Sequence, residues 1–199
     1  PAVPLSMIVV DVDALEGSTL ALRGALRLLD RTGCTVVFAT SDGLAQATKL
    51  LHDLDRTNTV IASDGAVVLG RGGSSIHSSR TLGAALLEEL LLAIRDVDGV
   101  VHVEMELLNG ELCTWDSTQA PPDHATLDMV FRLHLGGDEA SRVQADHLVR
   151  ERFWKARQVA VHVAEDGRLQ ILHPMADRGI AVQGVARQLG LSRSAVGAV

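Results

Sequence analysis

The sequence has no tyrosine, only three phenylalanines and only two tryptophans in 199 residues. An interior built on aromatics is excluded, and leucine, valine, alanine and isoleucine must fill it. Cysteine is nearly absent as well. Cys34 and Cys113 lie far apart and in no metal-ligand spacing, which favours buried free thiols over a bridge or a zinc site. No apolar run reaches the roughly 18 residues of a membrane span; the stretch 86–94 is broken by Glu88 and Glu89. The opening Pro1-Ala2-Val3-Pro4 has neither the charged start nor the cleavage pattern of a signal peptide. Basic residues are in deficit: 18 Lys and Arg face 25 Asp and Glu, for a net charge of −7. That balance argues against a nucleic-acid partner, which needs a basic stripe. With no membrane partner expected either, the composition suits a cytoplasmic protein. No G-x-x-x-x-G-K-[ST] phosphate loop occurs, and there is no internal repeat.

What is present begins as alternating strand and helix. Residues 7–10 are a short apolar run ending in Asp11-Val12-Asp13, which predicts a buried parallel strand with carboxylates at its C-terminal end. Ser18 is the expected cap of the next helix, and Gly33 its stop. A strand at 35–39, a helix at 44–54 and a strand at 59–62 complete the pattern of a doubly wound parallel sheet. The rhythm then changes. Gly70-Arg71-Gly72-Gly73 reads as a hairpin turn between strands at 66–69 and 75–78. A helix at 82–95, strands at 100–106, 111–115 and 129–135, a helix at 139–152 and strands at 158–164 and 168–172, turned at Glu165-Asp166-Gly167, read as antiparallel α+β. Trp115, Phe153 and Trp154 are expected to pack this block. His102, His134 and His162 lie on its strands, as exposed or core-edge residues or facing a substrate. After Pro174 a helix at 179–189 and a strand at 194–199 return to α/β style. The fold class is thus an α/β parallel-sheet core, 1–79 and 173–199, carrying an inserted α+β domain, 80–172.

The chemistry-bearing residues sit where strands end. Ligands of open α/β sheets bind beyond the carboxyl ends of the strands. Asp11 and Asp13 can both reach such a crevice, where a carboxylate pair divides nucleophile and acid/base roles or binds a hard cation. By itself a D-x-D pair is more often a pair of helix-capping loop acids. Thr40 ends the second strand, and its hydroxyl with the following N–H groups makes an anion site or an ordinary cap. Arg178 opens the late helix, as a site cation or a solvated charge.

Taken in order, these segments resemble the haloacid dehalogenase (HAD) superfamily. Ile8-Val9-Val10-Asp11-Val12-Asp13 is similar to its first motif, and Val37-Phe38-Ala39-Thr40 to its second. Ile61-Ala62-Ser63-Asp64-Gly65-Ala66 is similar to the asparagine-glycine-alanine segment of the Cof-type branch. Leu169-Gln170-Ile171 through Asp177-Arg178-Gly179 resembles the third motif, with Arg where Lys is usual. The resemblance implies a HAD-like Rossmannoid core with a type-C2 cap. It also implies a Mg²⁺-dependent phosphohydrolase acting on a small phosphomonoester, a sugar phosphate or phosphoglycolate-like compound. Asp11 would be nucleophile, Asp13 acid/base, and Thr40 and Arg178 the phosphoryl holders. Ser41, Asp64 and Gly65 would meet substrate, and Asp11 with Asp13 would hold the metal.

The sequence departs from that pattern at Ala14-Leu15-Glu16, where Gly-Thr-Leu is usual, and at Ser41-Asp42, where Gly-Arg is. The fourth motif, Gly-Asp and a further acid, belongs just after the last strand, where this sequence stops. Without it Mg²⁺ would have Asp11 and the Asp13 carbonyl, thin coordination for a hard cation. A non-catalytic HAD-like binding domain is therefore the alternative. The start at Pro1 and the exposed last strand lead to the expectation of a trimmed chain, with further residues after Val199 or a homo-oligomer covering that edge.

Overall fold

A computed structural model describes residues 5–14, 19–164 and 167–199. In chain order the elements are β1 (Met7–Asp11), α1 (Thr19–Asp30), β2 (Thr35–Ala39), α2 (Leu44–Leu54), β3 (Thr59–Ala62), β4 (Val67–Leu69) and β5 (Ile76–Ser79). They continue with α3 (Ala84–Arg95), β6 (Val101–Leu107), β7 (Leu112–Asp116), α4 (His124–Asp128), β8 (Val130–Gly137) and α5 (Glu139–Val149). The last are β9 (Ala160–Val163), β10 (Leu169–Leu172), α6 (Arg178–Gln188) and β11 (Val196–Ala198). The chain divides into two compact units, Pro1–Ser79 with Ala176–Val199, and Arg80–Met175. The expected cap of α1, Ser18, the departure at Leu15-Glu16 and the turn residues Glu165-Asp166 lie outside the described residues.

The first unit holds a six-stranded sheet in the order β11-β1-β2-β3-β4-β5. β11, β1, β2 and β3 run parallel, with Met7 opposite Thr35 and Asp11 opposite Ala39. The apolar runs of β1, β2 and β3 are largely buried: Met7, Val37 and Ile61 pack with Val185 and Ala186 of α6. The sheet is not wholly parallel, however. β4 pairs antiparallel with β3, and β5 with β4. For the β4–β5 pair the reason is local: Gly70 N–H donates to Ser75 O at 2.8 Å and Gly73 N–H to Gly70 O at 3.0 Å. A turn that tight joins only antiparallel strands. The final strand is also shorter than its apolar run, because Arg193–Ala195 winds into a 3₁₀ turn first.

The second unit is a five-stranded antiparallel sheet, β7-β6-β8-β10-β9. Strand alternation sends Val101, Val103 and Met105 of β6 and Leu133 and Leu135 of β8 to one face. There they form a core with Leu87, Leu90, Leu91 and Ile94 of α3 and Ala145 and Val149 of α5. α5 ends earlier than its sequence pattern, in a π-helical turn, Arg150–Trp154, that buries Phe153. Trp115 is buried as well, but Trp154 is not: it is turned outward on the π turn. α4 was not expected, being one turn long. Asp123 caps it by accepting from Thr126 N–H at 2.9 Å, and Asp128 accepts from Ala84 N–H at 3.0 Å at the start of α3. Both cysteines are free but only half-buried. Cys34 sits at a strand entrance, its Sγ 3.0 Å from Leu5 O. Among the described residues no helix is long and apolar enough to cross a membrane.

The core of the second unit has no aromatic on α3, so its branched side chains carry the packing. Leu90, fully buried, is expected to cost about 2–5 kcal/mol when truncated to alanine. Urea unfolding monitored by far-UV circular dichroism checks this, as a lowered midpoint at unchanged slope.

Candidate active site

The parallel register sets the site. Asp11 closes β1 opposite Ala39, so Thr40, the next residue, stands beside the Asp11–Asp13 turn. Val12 N–H donates to Ala39 O at 2.9 Å, and Asp13 N–H to Asp11 Oδ1 at 3.2 Å, so the turn wraps over the end of β2. Thr40 is buried, and its hydroxyl donates to Asp13 Oδ1 at 2.6 Å. It also accepts from Asp42 N–H at 3.0 Å, whereas the helix that follows is capped at Gly43. Ser41 N–H donates to Asp13 Oδ2 at 2.7 Å.

The loop after β3 is tied to the same place. Ser63 N–H donates to Asp42 O at 2.9 Å and Asp64 N–H to Thr40 O at 3.3 Å. Ser63, Asp64 and Gly65 have φ of 50°, 53° and 91°, three left-handed residues in succession. The glycine is demanded by its neighbour, since a Cβ there would penetrate the Asp177 carbonyl. That close backbone approach sets the start of α6. Asp177 caps it, accepting from Ile180 N–H at 2.8 Å, and Arg178 is its first residue.

Arg178 then joins the β1 and β3 loops directly and the β2 loop through Asp13. Its Nη1 donates to both Asp11 oxygens at 2.9 Å, its Nε to Asp64 Oδ1 at 3.0 Å, and its Nη2 to Asp13 Oδ2. All three N–H-bearing nitrogens of the fork are used, which a lysine ammonium does not reproduce in this geometry. Partial burial favours the neutral form of Asp13, but the donors Thr40, Ser41 and Arg178 outweigh it and hold its carboxyl below 3.8. The Arg178 guanidinium is likewise held charged against its own burial, by Asp13, Asp64 and Asp11.

The structure therefore gathers Asp11, Asp13, Thr40, Ser41, Asp64 and Arg178 at one end of the sheet. Gly65 is there too, but as a close backbone contact with Asp177. Thr40 faces Asp13 instead of standing open to an anion. The suggested metal ligands fit Mg²⁺ poorly. Asp11 spends both oxygens on Arg178, Asp13 spends its own on Thr40, Ser41 and Arg178, and a hard cation wants about six oxygens. Among the described residues no group of three or more His, Cys, Asp or Glu is arranged to hold a metal ion.

No family model matches the chain, and no curated protein sequence does. Solved structures do. A haloacid dehalogenase-like hydrolase from Bacteroides thetaiotaomicron aligns at TM-score 0.76 and 15% identity, over 98% of this chain and 80% of its own. TM0651 from Thermotoga maritima gives 0.76 and 16%, over 98% and 79%. The chain has the haloacid dehalogenase fold. The HAD subclass IIB sugar phosphatase BT4131 is a further neighbour, at TM-score 0.66 and 12% identity over 97% of this chain and 79% of its own. In this HAD-type fold the β1, β2, β3 and α6 loops are those that converge on Arg178.

The sequence pattern misses one polar cluster, in the second unit. Glu106 Oε1 accepts from Arg132 Nε at 2.7 Å and from His134 Nε2 at 3.1 Å. Its signal was the alternation of polar with apolar residues along 102–106 and 132–136.

Two outcomes follow from the geometry. Gly65→Ala is expected to destabilise by more than about 1 kcal/mol, since alanine meets both the positive φ and the Asp177 carbonyl; thermal unfolding checks it. Asp13 has a lowered folded pKa, so its stabilising contribution is full above 3.8 and is lost as pH falls through that value toward the folded one. The stability gap between wild type and Asp13→Asn is therefore expected to shrink on acidification below 3.8. Denaturant titrations at neutral and acid pH measure it; a gap that widens in acid contradicts the assignment.

Proposed function

We propose that the chain is a phosphohydrolase acting on a small phosphomonoester through an aspartyl-phosphate. The supporting observation is the convergence of Asp11, Asp13 and Asp64 on Arg178, at the carboxyl end of the parallel strands where such sheets bind ligands. The fold shared with HAD-like hydrolases supports the same reading. An Asp11 oxygen attacks phosphorus while the bond to the leaving oxygen breaks. Asp13, entering protonated, gives its proton to that oxygen. Asp13 then takes a proton from water, the hydroxide attacks phosphorus, and inorganic phosphate leaves with Asp11 restored. Arg178 exchanges its carboxylate partners for phosphoryl oxygens, offsetting charge as it develops. That exchange frees both Asp11 oxygens and removes a donor that keeps Asp13 ionised, so substrate entry itself favours the protonated acid. Ser41 and its N–H lie beside the incoming phosphoryl group.

The resemblance implies Mg²⁺, yet the described side chains offer it too few free oxygens, and no step is assigned to it. A second reading is favoured by one observation, the double engagement of Asp11 by Arg178. A carboxylate held so is a poor nucleophile, and a binding domain without turnover would keep the same arrangement.

Hydrolysis of an aryl phosphate, measured with Mg²⁺ and with EDTA, separates the two. Asp11→Asn is expected to abolish turnover, because an amide forms no acyl-phosphate. Asp13→Asn is expected to lower it by about 10²–10⁴-fold. Arg178→Lys should retain more activity than Arg178→Ala. A folded protein that neither turns over substrate nor binds fluoroberyllate favours the binding domain.

A further inference from the structure

The three carboxylates around Arg178 are not equivalent. A guanidinium has two terminal nitrogens and one inner nitrogen, Nε, between the fork and the side-chain stem. Asp11 and Asp13 take the terminal nitrogens, and Asp64 takes Nε. The Nε–H lies in the plane of the guanidinium, so a partner there fixes rotation about the Cδ–Nε bond. It thereby sets where the terminal nitrogens point. A partner on a terminal nitrogen can be replaced without turning that plane, because the fork matches carboxylate and phosphate oxygens alike.

Asp64 is also the best anchored of the three. Its side chain is 19% accessible, against 27% for Asp13 and 43% for Asp11. Its backbone N–H donates to Thr40 O at 3.3 Å. The residue before it, Ser63, is fully buried, and its N–H and hydroxyl both donate to Asp42 O, at 2.9 and 3.2 Å. The residue after it, Gly65, lies against the Asp177 carbonyl, one residue before Arg178. The β3 loop is therefore held to the β2 loop on one side and to the start of α6 on the other. Asp64 and Arg178 stand on backbones in close approach, whereas Asp11 and Asp13 reach Arg178 from the end of β1.

Chemistry separates them again. The inference rests on the phosphohydrolase reading, in which Asp11 must free an oxygen to attack and Asp13 must exchange a proton. Asp64 has no bond to make or break. Nor does it suit the substrate as a direct partner, because a carboxylate and phosphoryl oxygens are both acceptors. We propose that Asp64 is a positioning residue, keeping its bond to Arg178 Nε while Asp11 and Asp13 yield the terminal nitrogens to the phosphoryl group. Arg178 changes partners without leaving its place, and the transferring group meets a fork already aimed.

The test uses the full chain, an aryl phosphate as substrate and inorganic phosphate as ligand. The Arg178 Nε–H resonance, identified by its loss in Arg178→Lys, is followed in ¹H–¹⁵N spectra, and phosphate binding by calorimetry. The wild-type resonance is expected to stay in place as phosphate saturates. In Asp64→Asn it is expected to move and to exchange faster with water. Asparagine accepts the left-handed φ of 53° as aspartate does, so this variant keeps the loop. Its kcat/KM is expected to fall by about 10–10²-fold, the cost of a misplaced group. In the Arg178→Lys background, which has no Nε–H to anchor, the same substitution is expected to cost no more than about threefold. A merely structural Asp64 would cost the same in both backgrounds. Equal costs, unchanged turnover in Asp64→Asn, or a resonance that phosphate displaces overturns the proposal. A wild type that binds phosphate with the resonance in place but shows no turnover overturns the phosphohydrolase reading alone and leaves Asp64 as the anchor. A wild type that neither turns over nor binds phosphate overturns both.

Discussion

One guanidinium holds four loops of the first unit in place. Arg178 reaches Asp11 and Asp13 beyond β1 and Asp64 beyond β3, while Asp13 in turn reaches Thr40 and Ser41 beyond β2. The strands give these residues their neighbourhood, but parallel strands leave loop directions free. The loops are directed by charge-assisted bonds to a planar fork. The backbone makes this geometry attainable: Gly65 lets the β3 loop touch Asp177, and that contact fixes where α6, and so Arg178, begins.

The same arrangement sets a charge constraint. Three carboxylates surround one guanidinium, so the ionised cluster carries a surplus of negative charge. A phosphoryl dianion entering it would add to that surplus. Partial exposure screens the repulsion, with the Asp11 side chain 43% accessible and Arg178 28%. Screening does not remove it. Phosphoryl transfer at this cluster therefore calls for a protonated Asp13, for Arg178 turned toward phosphate, or for positive charge from beyond the described side chains. The first two are coupled, since moving Arg178 removes one of the donors that keep the Asp13 carboxyl ionised.

The sequence was most legible where one period ran long enough to exclude the other. The buried runs of β1, β2 and β3 read as parallel strands, and the D-x-D and Thr40 termini fell at adjacent strand ends because consecutive βαβ units pair. It was least legible where three-dimensional contacts decide. The attachment of the β4–β5 hairpin to the parallel sheet depends on pairing partners, not on its own residues. The outward turn of Trp154 follows from a π turn that no short pattern signals. The substrate role of Asp64 is what the resemblance of residues 61–66 implies, and nothing local says that its carboxylate meets an arginine 114 residues away. His134 reads from its alternating strand as exposed, core-edge or substrate-facing, and the pattern does not signal that it is buried against Glu106.

The two polar clusters are built alike with the signs exchanged. In the first unit one cation serves several acids; in the second one acid, Glu106, serves Arg132 and His134 through a single oxygen. A shared ion holds its partners rigidly but satisfies them unequally. At Arg178 the sharing occupies the acceptors of Asp11, so chemistry there requires an exchange of partners. At Glu106 the sharing fixes one nitrogen of His134 and leaves the other buried without a partner among the described residues. The first cluster is thus poised for a change of partners, whereas the second ties β6 to β8. A glycine stands beside each for a different purpose. Gly65 brings two backbones together, and Gly136 leaves an empty side-chain position.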